Sequence, residues 1–290
     1  MKNYTLKLLP IVLLISFLFF QCEQEDNIVK SKTDLENLNI FGNVKSVYEE
    51  LCYADENSKE PKKGSIHTSS LTHFNTQGNI TEKSTHYLNG QPTAMIEKFY
   101  YDIIGRCYVK QQFAPYRYNF KGKIDSFFYN TEDLLAEVIS YYGSYTSDSF
   151  NRESRSTYLY NKKGQLIEKN YFYFEDLLRI YKYVYNLKNQ LTTITYYDKN
   201  NEYESKTTYE YDKHGNITET YYNENDEPIG SMRKKYDDKG NLIYIYNGTG
   251  CIHSESNYKY LFDDKNNWFY CVDYRGGDPT FITERKIEYY

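Results

Sequence analysis

Along most of the chain, apolar and aromatic residues alternate with polar ones at every second position, the period of half-buried strands, and Asn, Asp and Gly interrupt the alternation at short intervals. The interruptions recur in register. An aromatic residue opens each unit at 74, 101, 129, 160, 185, 211, 236 and 262. The next position holds Asn75, Asp102, Asn130, Asn161, Asn186, Asp212, Asp237 and Asp263, and three residues later stand Gly78, Gly105, Asp133, Gly164, Asn189, Gly215, Gly240 and Asn266. Gly, Asn and Asp are the residues that accept a left-handed backbone at least cost, so each unit predicts a β-hairpin whose loop closes with a bulge.

Hairpin geometry then sets faces. The opening aromatic faces the residue two beyond the Gly position: Ile80, Cys107, Leu135, Leu166, Leu191, Ile217, Leu242 and Trp268. Continuing outward, Phe127 is expected opposite Glu137, Tyr158 opposite Glu168 and Tyr209 opposite Glu219. On the second face Phe128, Leu159, Val184, Ile167 and Ile194 predict partial cover. With half a unit at each end, starting at Gly42–Val47 and closing at Ile287–Tyr289, the count is about 18 strands. The expected class is all-β, built of serial antiparallel β-hairpin repeats. Because a twisted open sheet rarely exceeds about ten strands, the array should form a curled or partly closed meander. Its edges would be guarded by charges near Lys45 and at Glu284–Lys286 unless they meet.

Composition agrees with strands. Tyr occurs 36 times, whereas Gly and Pro, at 15 and 6, are too scarce for a collagenous or linker chain. The formal charge of -5 gives no support to a nucleic-acid partner. At the amino terminus, Lys2 and Lys7 precede an apolar stretch, Leu8–Phe20, too short to span a bilayer as a helix, which reads as a secretory signal. Phe19-Phe20-Gln21-Cys22 resembles the lipobox of bacterial lipoproteins, with Phe19 and Gln21 where Leu and a small residue are usual. The following Glu23-Gln24-Glu25-Asp26 resembles the acidic export signal of Bacteroidetes-type surface lipoproteins. Residues 1-21 are thus the expected leader, Cys22 the lipidation site and 22-37 an acidic tether to the repeat domain at 38-290. This implies an outer-membrane, lipid-anchored location facing the cell surface.

The units Tyr211-Asp212-Lys213-His214-Gly215-Asn216 and Tyr236-Asp237-Asp238-Lys239-Gly240-Asn241 resemble the YD repeats of the Rhs family, in whose large members strands spiral into a shell. The likeness runs through 38-290. It implies architecture more than activity, since such repeats serve toxin shells, carbohydrate-binding wall proteins and surface lipoproteins. No variable effector domain follows the last repeat, which disfavours toxin delivery.

Chemistry is sparse. His67, His73, His86, His214 and His253 make no metal spacing, and there is no nucleophile elbow, phosphate loop or C-x-x-C, so neither a cofactor nor a metal is expected. Cys251 and Cys271 lie in neighbouring units and invite a disulfide, with buried thiols as the alternative. Tyr rings present flat apolar faces to sugar C–H groups while carboxylates accept from hydroxyls. Tyr158, Glu168, Tyr209, Glu219, Tyr260 and Trp268 therefore form a candidate polysaccharide face. Aromatic ladders also stabilise sheets without any ligand. Three readings compete: a non-enzymatic binding or scaffold module for glycan or protein, a purely structural envelope component, and a glycan-active enzyme.

Overall fold

The computed structural model describes residues 32–55, 58, 60–87, 93–114, 121–144, 149–249 and 252–290; the expected leader, Cys22 and Cys251 lie outside them. Among the described residues a four-residue helix, α1 (Asp34–Asn37), is followed by strands only. These are β1 (Val44–Ala54), β2 (Lys63–Phe74), β3 (Ile80–Tyr87), β4 (Thr93–Tyr101), β5 (Cys107–Phe113), β6 (Gly122–Tyr129), β7 (Leu135–Gly143), β8 (Phe150–Tyr160) and β9 (Leu166–Tyr173). The second half comprises β10 (Asp176–Tyr185), β11 (Leu191–Asp198), β12 (Tyr203–Tyr211), β13 (Ile217–Tyr222), β14 (Pro228–Tyr236), β15 (Leu242–Thr249), β16 (Ile252–Phe262), β17 (Trp268–Arg275) and β18 (Asp278–Tyr289). Every strand pairs antiparallel with its sequence neighbours, and β1 pairs with β18 from Val44 opposite Tyr289 to Tyr53 opposite Phe281. The expected meander is therefore a closed barrel. Lys45 and Glu284–Lys286 do not guard free edges; they lie on the two strands of the closing seam, where Lys45 pairs with Glu288 and Arg285 with Glu49.

All eight turns take the expected form. In the last, Asp263 N donates to Asn267 O and Asn266 N to Asp263 O, while the Asp263 carboxylate accepts from the amides of Lys265 and Asn267. The third residue after each Asn or Asp has positive φ, from 62° at Asp133 and Asn189 to 88° at Gly105. Each opening aromatic pairs with its predicted partner, from Phe74 with Ile80 to Phe262 with Trp268. Two turns at the opposite end, Asp198–Glu202 and Asn223–Glu227, use the same device, with Asn201 and Asp226 at positive φ. An added Cβ at Gly164 would meet only Leu134 Cδ1 at 3.9 Å, so any penalty there comes from the backbone alone. Gly164→Val should lower stability by about 1–2 kcal/mol, read as a shifted urea midpoint at constant slope. Gly164→Asn should cost less, since Asn189 holds the same position.

The segment Thr33–Phe41, of which the part up to Asn37 falls in the expected tether, is fixed to the barrel. Thr33 caps α1 with a capping box closed by Glu36. Leu35 N donates to Gly78 O, and Asn39 Nδ2 donates to Lys239 O at 2.6 Å. Those two turns lie six strand intervals apart around the wall, about 29 Å at the usual 4.8 Å spacing. Leu35 and Asn39 are four residues apart, at most about 14 Å. The segment therefore cuts across the mouth of the barrel as a plug over its β14-to-β3 side. Leu35 and Ile40 pack there with Val44, Val47 and Phe74, against Ile80, Ile287 and Tyr289. This contact identifies the opening aromatics and their partners as lumen-facing, and cross-strand pairing propagates the assignment to every strand.

Lumen-facing Leu166 is wholly buried, and Leu135, Ile194, Thr207, Met232 and Tyr258 are all less than a tenth exposed. Side chains thus fill the lumen at these levels. The outward positions Phe128, Leu159 and Val184 are 47%, 55% and 53% exposed, so the cover expected on that face is missing there. Among the described residues, outer cover is formed where β1, β17 and β18 meet, with Ala54, Val272 and Ile282 forming a second core beside Tyr270 and Tyr274.

Candidate binding face

The six residues expected to form one ligand face do not share one. A β-bulge follows the first pair of most hairpins and shifts the register by one. Phe127 therefore opposes Val138 rather than Glu137, and Tyr158 opposes Lys169 rather than Glu168. Only the β12–β13 hairpin lacks the bulge, and there Tyr209 does oppose Glu219. The extra residue is accommodated by local twist, and the pattern of residue types carries no mark of it.

Tyr158, Tyr209, Glu219, Tyr260 and Trp268 point into the lumen, and Glu168 points outward between Leu159 and Lys182. Lys169 lies 5.5 Å from the Tyr158 ring and 5.6 Å from that of Tyr181. Glu219, 3% exposed, is bound by Lys234 Nζ at 2.6 Å and by the Tyr221 hydroxyl at 3.1 Å. The Tyr260 hydroxyl donates to Leu242 O at 2.7 Å, and its ring lies 5.6 Å from Trp268, which is covered by the Arg285 guanidinium at 3.3 Å. These groups are committed to one another. They tie the barrel together from within.

The opening aromatics have a second role that hydropathy does not reveal. Tyr101 OH donates to Ile80 O at 2.8 Å and Tyr129 OH to Cys107 O at 2.7 Å, so each latches its hairpin to the preceding one. Burial pushes the Tyr129 hydroxyl above its ordinary value. Cys107 and Cys271 are free thiols inside the barrel, each pushed up to about 12 by burial, which makes them poor nucleophiles. Cys271 sits opposite Tyr260, while Cys251, its expected disulfide partner, lies outside the described residues.

The outer wall carries a different arrangement. On β14, β15, β16 and β17 basic residues lie over outward tyrosines: Lys235 Nζ 4.8 Å from the Tyr244 ring, Arg233 Cζ 5.5 Å from Tyr246, and Lys259 Nζ 4.8 Å from Tyr274. Lys235 and Tyr244 are directly opposed, as are Arg233 and Tyr246. The Tyr246 hydroxyl is 2.9 Å from His253 Nδ1, and the two rings stack. Glu255, opposite Tyr246, bounds the strip on one side and accepts from Asn257 Nδ2. At the turn end the strip opens into a shallow cleft of about 680 Å³ between the β12–β13 and β14–β15 turns, lined by His214, Asn216, Lys235, Asp237, Asp238 and Ile243. Nearby, the Asn216 amide and backbone donors hold the Asp212 carboxyl below its usual range.

No protein-family profile matches the chain, and no curated protein does. Among solved structures, a porin-like protein from Bacteroides uniformis ATCC 8492 aligns over 85% of this chain and 98% of its own, at 11% identity and a TM-score of 0.43. A porin-like protein from Bacteroides vulgatus ATCC 8482 aligns over the same shares at 11% identity and a TM-score of 0.28. The TcdB2-TccC3-TEV structure aligns over 80% of this chain and 15% of its own, at 12% identity and a TM-score of 0.27. Likenesses this distant do not bear on what the chain binds.

Proposed function

We propose that the chain is an envelope lipoprotein whose barrel stands in water, tethered through Cys22 to the outer membrane and facing the cell surface. In this reading it acts as a non-enzymatic binding module through its outer wall. The supporting observation is the chemistry of that wall. Outward positions include Lys98, Glu137, Glu168, Lys182, Lys206, Glu210, Arg233 and Lys259, spread over β4 to β16. A basic residue on the lipid face of a membrane barrel costs about 2–4 kcal/mol at mid-bilayer, and anionic residues add to that total. Water, not lipid, suits such a surface. The acidic run after Cys22 and the YD-like repeats support a surface address. The internal ion pair of Glu219 and the unreactive buried thiols support a role without catalysis.

Thr33, the capping residue, lies eleven positions after Cys22, a reach of at most about 38 Å. Because Thr33 is held at the plugged mouth, the tether presents that rim to the membrane and the opposite loops to the surroundings. Cys22→Ser should move the protein from the membrane fraction to the soluble one, where it stays monodisperse without detergent. A Cys22→Ser protein that still resists alkaline extraction and needs detergent would show a barrel embedded in lipid, and the reading would fall.

A further inference from the structure

We infer that the outer strip on β14–β17 is a binding site for an acidic polysaccharide, one whose sugars carry carboxylate or sulfate groups. The inference rests on the binding-module reading and names its ligand. Several basic side chains elsewhere on the wall are neutralised by near neighbours: Lys98 by Glu82, Lys206 by Asp226, Arg155 by Glu137. In the strip Arg233, Lys235 and Lys259 are exposed, and among the described residues none of the three forms an ion pair. Each is held over a tyrosine ring instead. Three cations against one carboxylate, Glu255, make this face locally positive on a chain with formal charge -5. Charge complementarity therefore asks for an anion.

The geometry restricts which one. Arg233 and Lys235 are two residues apart on one strand, about 7 Å, and Lys259 lies two strands away, about 10 Å. A chain with one charge every sugar or two can meet all three cations in turn. The tyrosines beneath hold the cations in place, and His253 and Asn257, both exposed, supply hydrogen bonds for hydroxyls. A nucleic acid carries charge far more densely and would draw on more cations than the strip holds, while meeting the repulsion of an acidic protein.

The test uses the full chain in non-ionic detergent with four probes: polygalacturonate, dextran sulfate, neutral dextran and single-stranded DNA. Polygalacturonate or dextran sulfate should be retained and neutral dextran should not, with affinity falling as salt is raised. Arg233→Glu, Lys235→Glu and Lys259→Glu together should weaken binding about tenfold or more at unchanged thermal midpoint. Tyr244→Ala with Tyr246→Ala should weaken it while keeping the salt slope, and Glu255→Gln should tighten it. Failure to retain either acidic polysaccharide, indifference to the charge reversal, or tighter binding of the DNA would overturn the assignment. Retention of neutral dextran by both the native and the reversed protein would overturn it too, yet leave the binding-module reading standing. Failure of that reading is seen separately, in the Cys22→Ser fractionation.

Discussion

Leu35→Ala should lower the unfolding free energy by about 2–4 kcal/mol, a loss expected of a core leucine and not of one in a tether. Leu35 is 6% exposed and packs among Ile40, Val44, Val47 and Phe74. The mouth cannot collapse onto the vacated volume, because the plug is fixed at both ends by hydrogen bonds to Gly78 and Lys239. Leu187→Ala, at a fully exposed turn position, is the control and should change nothing measurable. Urea titration checks the magnitude, and amide exchange at Leu35 and Ile80 checks the place. Fast exchange there in the native protein would mean that the plug is not docked.

Asp34 adds a pH signature to the same contact. Its Oδ2 accepts from Ile80 N at 2.7 Å and shares the Tyr101 hydroxyl, 3.0 Å away, with Ile80 O, yet burial outweighs these bonds and raises its pKa. A raised native carboxyl binds its proton more tightly when folded. The plug should therefore dock more firmly as pH falls from the raised native value toward the ordinary value near 3.8. Asp34→Asn should remove this part of the pH dependence and leave the plug docked at pH 7.

The second large effect is expected at the seam. Arg285 Nε donates to Glu49 Oε1 at 2.6 Å, its guanidinium covers Trp268, and the side chain is 12% exposed. Arg285→Ala leaves the Glu49 carboxylate, 30% exposed, without its guanidinium and should cost about 2–3 kcal/mol. Glu49→Gln combined with Arg285→Gln should recover much of that, since the carboxylate charge is removed with its partner. Burial pushes the Glu49 carboxyl upward, but the Arg285 charge and hydrogen bond, with Lys83, outweigh it and hold the group below its ordinary value. The stabilisation is thus present at neutral pH and lost as pH falls from about 4.5 through the depressed native value. In Arg285→Ala the sign should reverse, the variant gaining stability on acidification over the same range. Parallel pH titrations of the urea midpoint distinguish the two.

The physical division between sequence and structure runs between local and distant contacts. A left-handed residue is demanded within each turn, so Gly, Asn and Asp at one offset disclose all eight turns, the opposed pairs beside them and the number of strands. One residue farther on, the bulges begin. Nothing in Ala136 or Ile167 marks it as the extra residue, and so Glu137 and Glu168 were expected in the wrong pairs, and Glu168 on the wrong face. Closure joins Val47 to Ile287 and Glu49 to Arg285, partners more than two hundred residues apart whose meeting depends on the twist accumulated over the whole sheet. The plug was illegible because α1 is a single turn whose stability comes from the mouth it fills. The basic strip escaped notice for a related reason: Arg233, Lys235, Tyr244, Tyr246 and Lys259 look like ordinary polar-face residues until the barrel shows that they share one side of a wall.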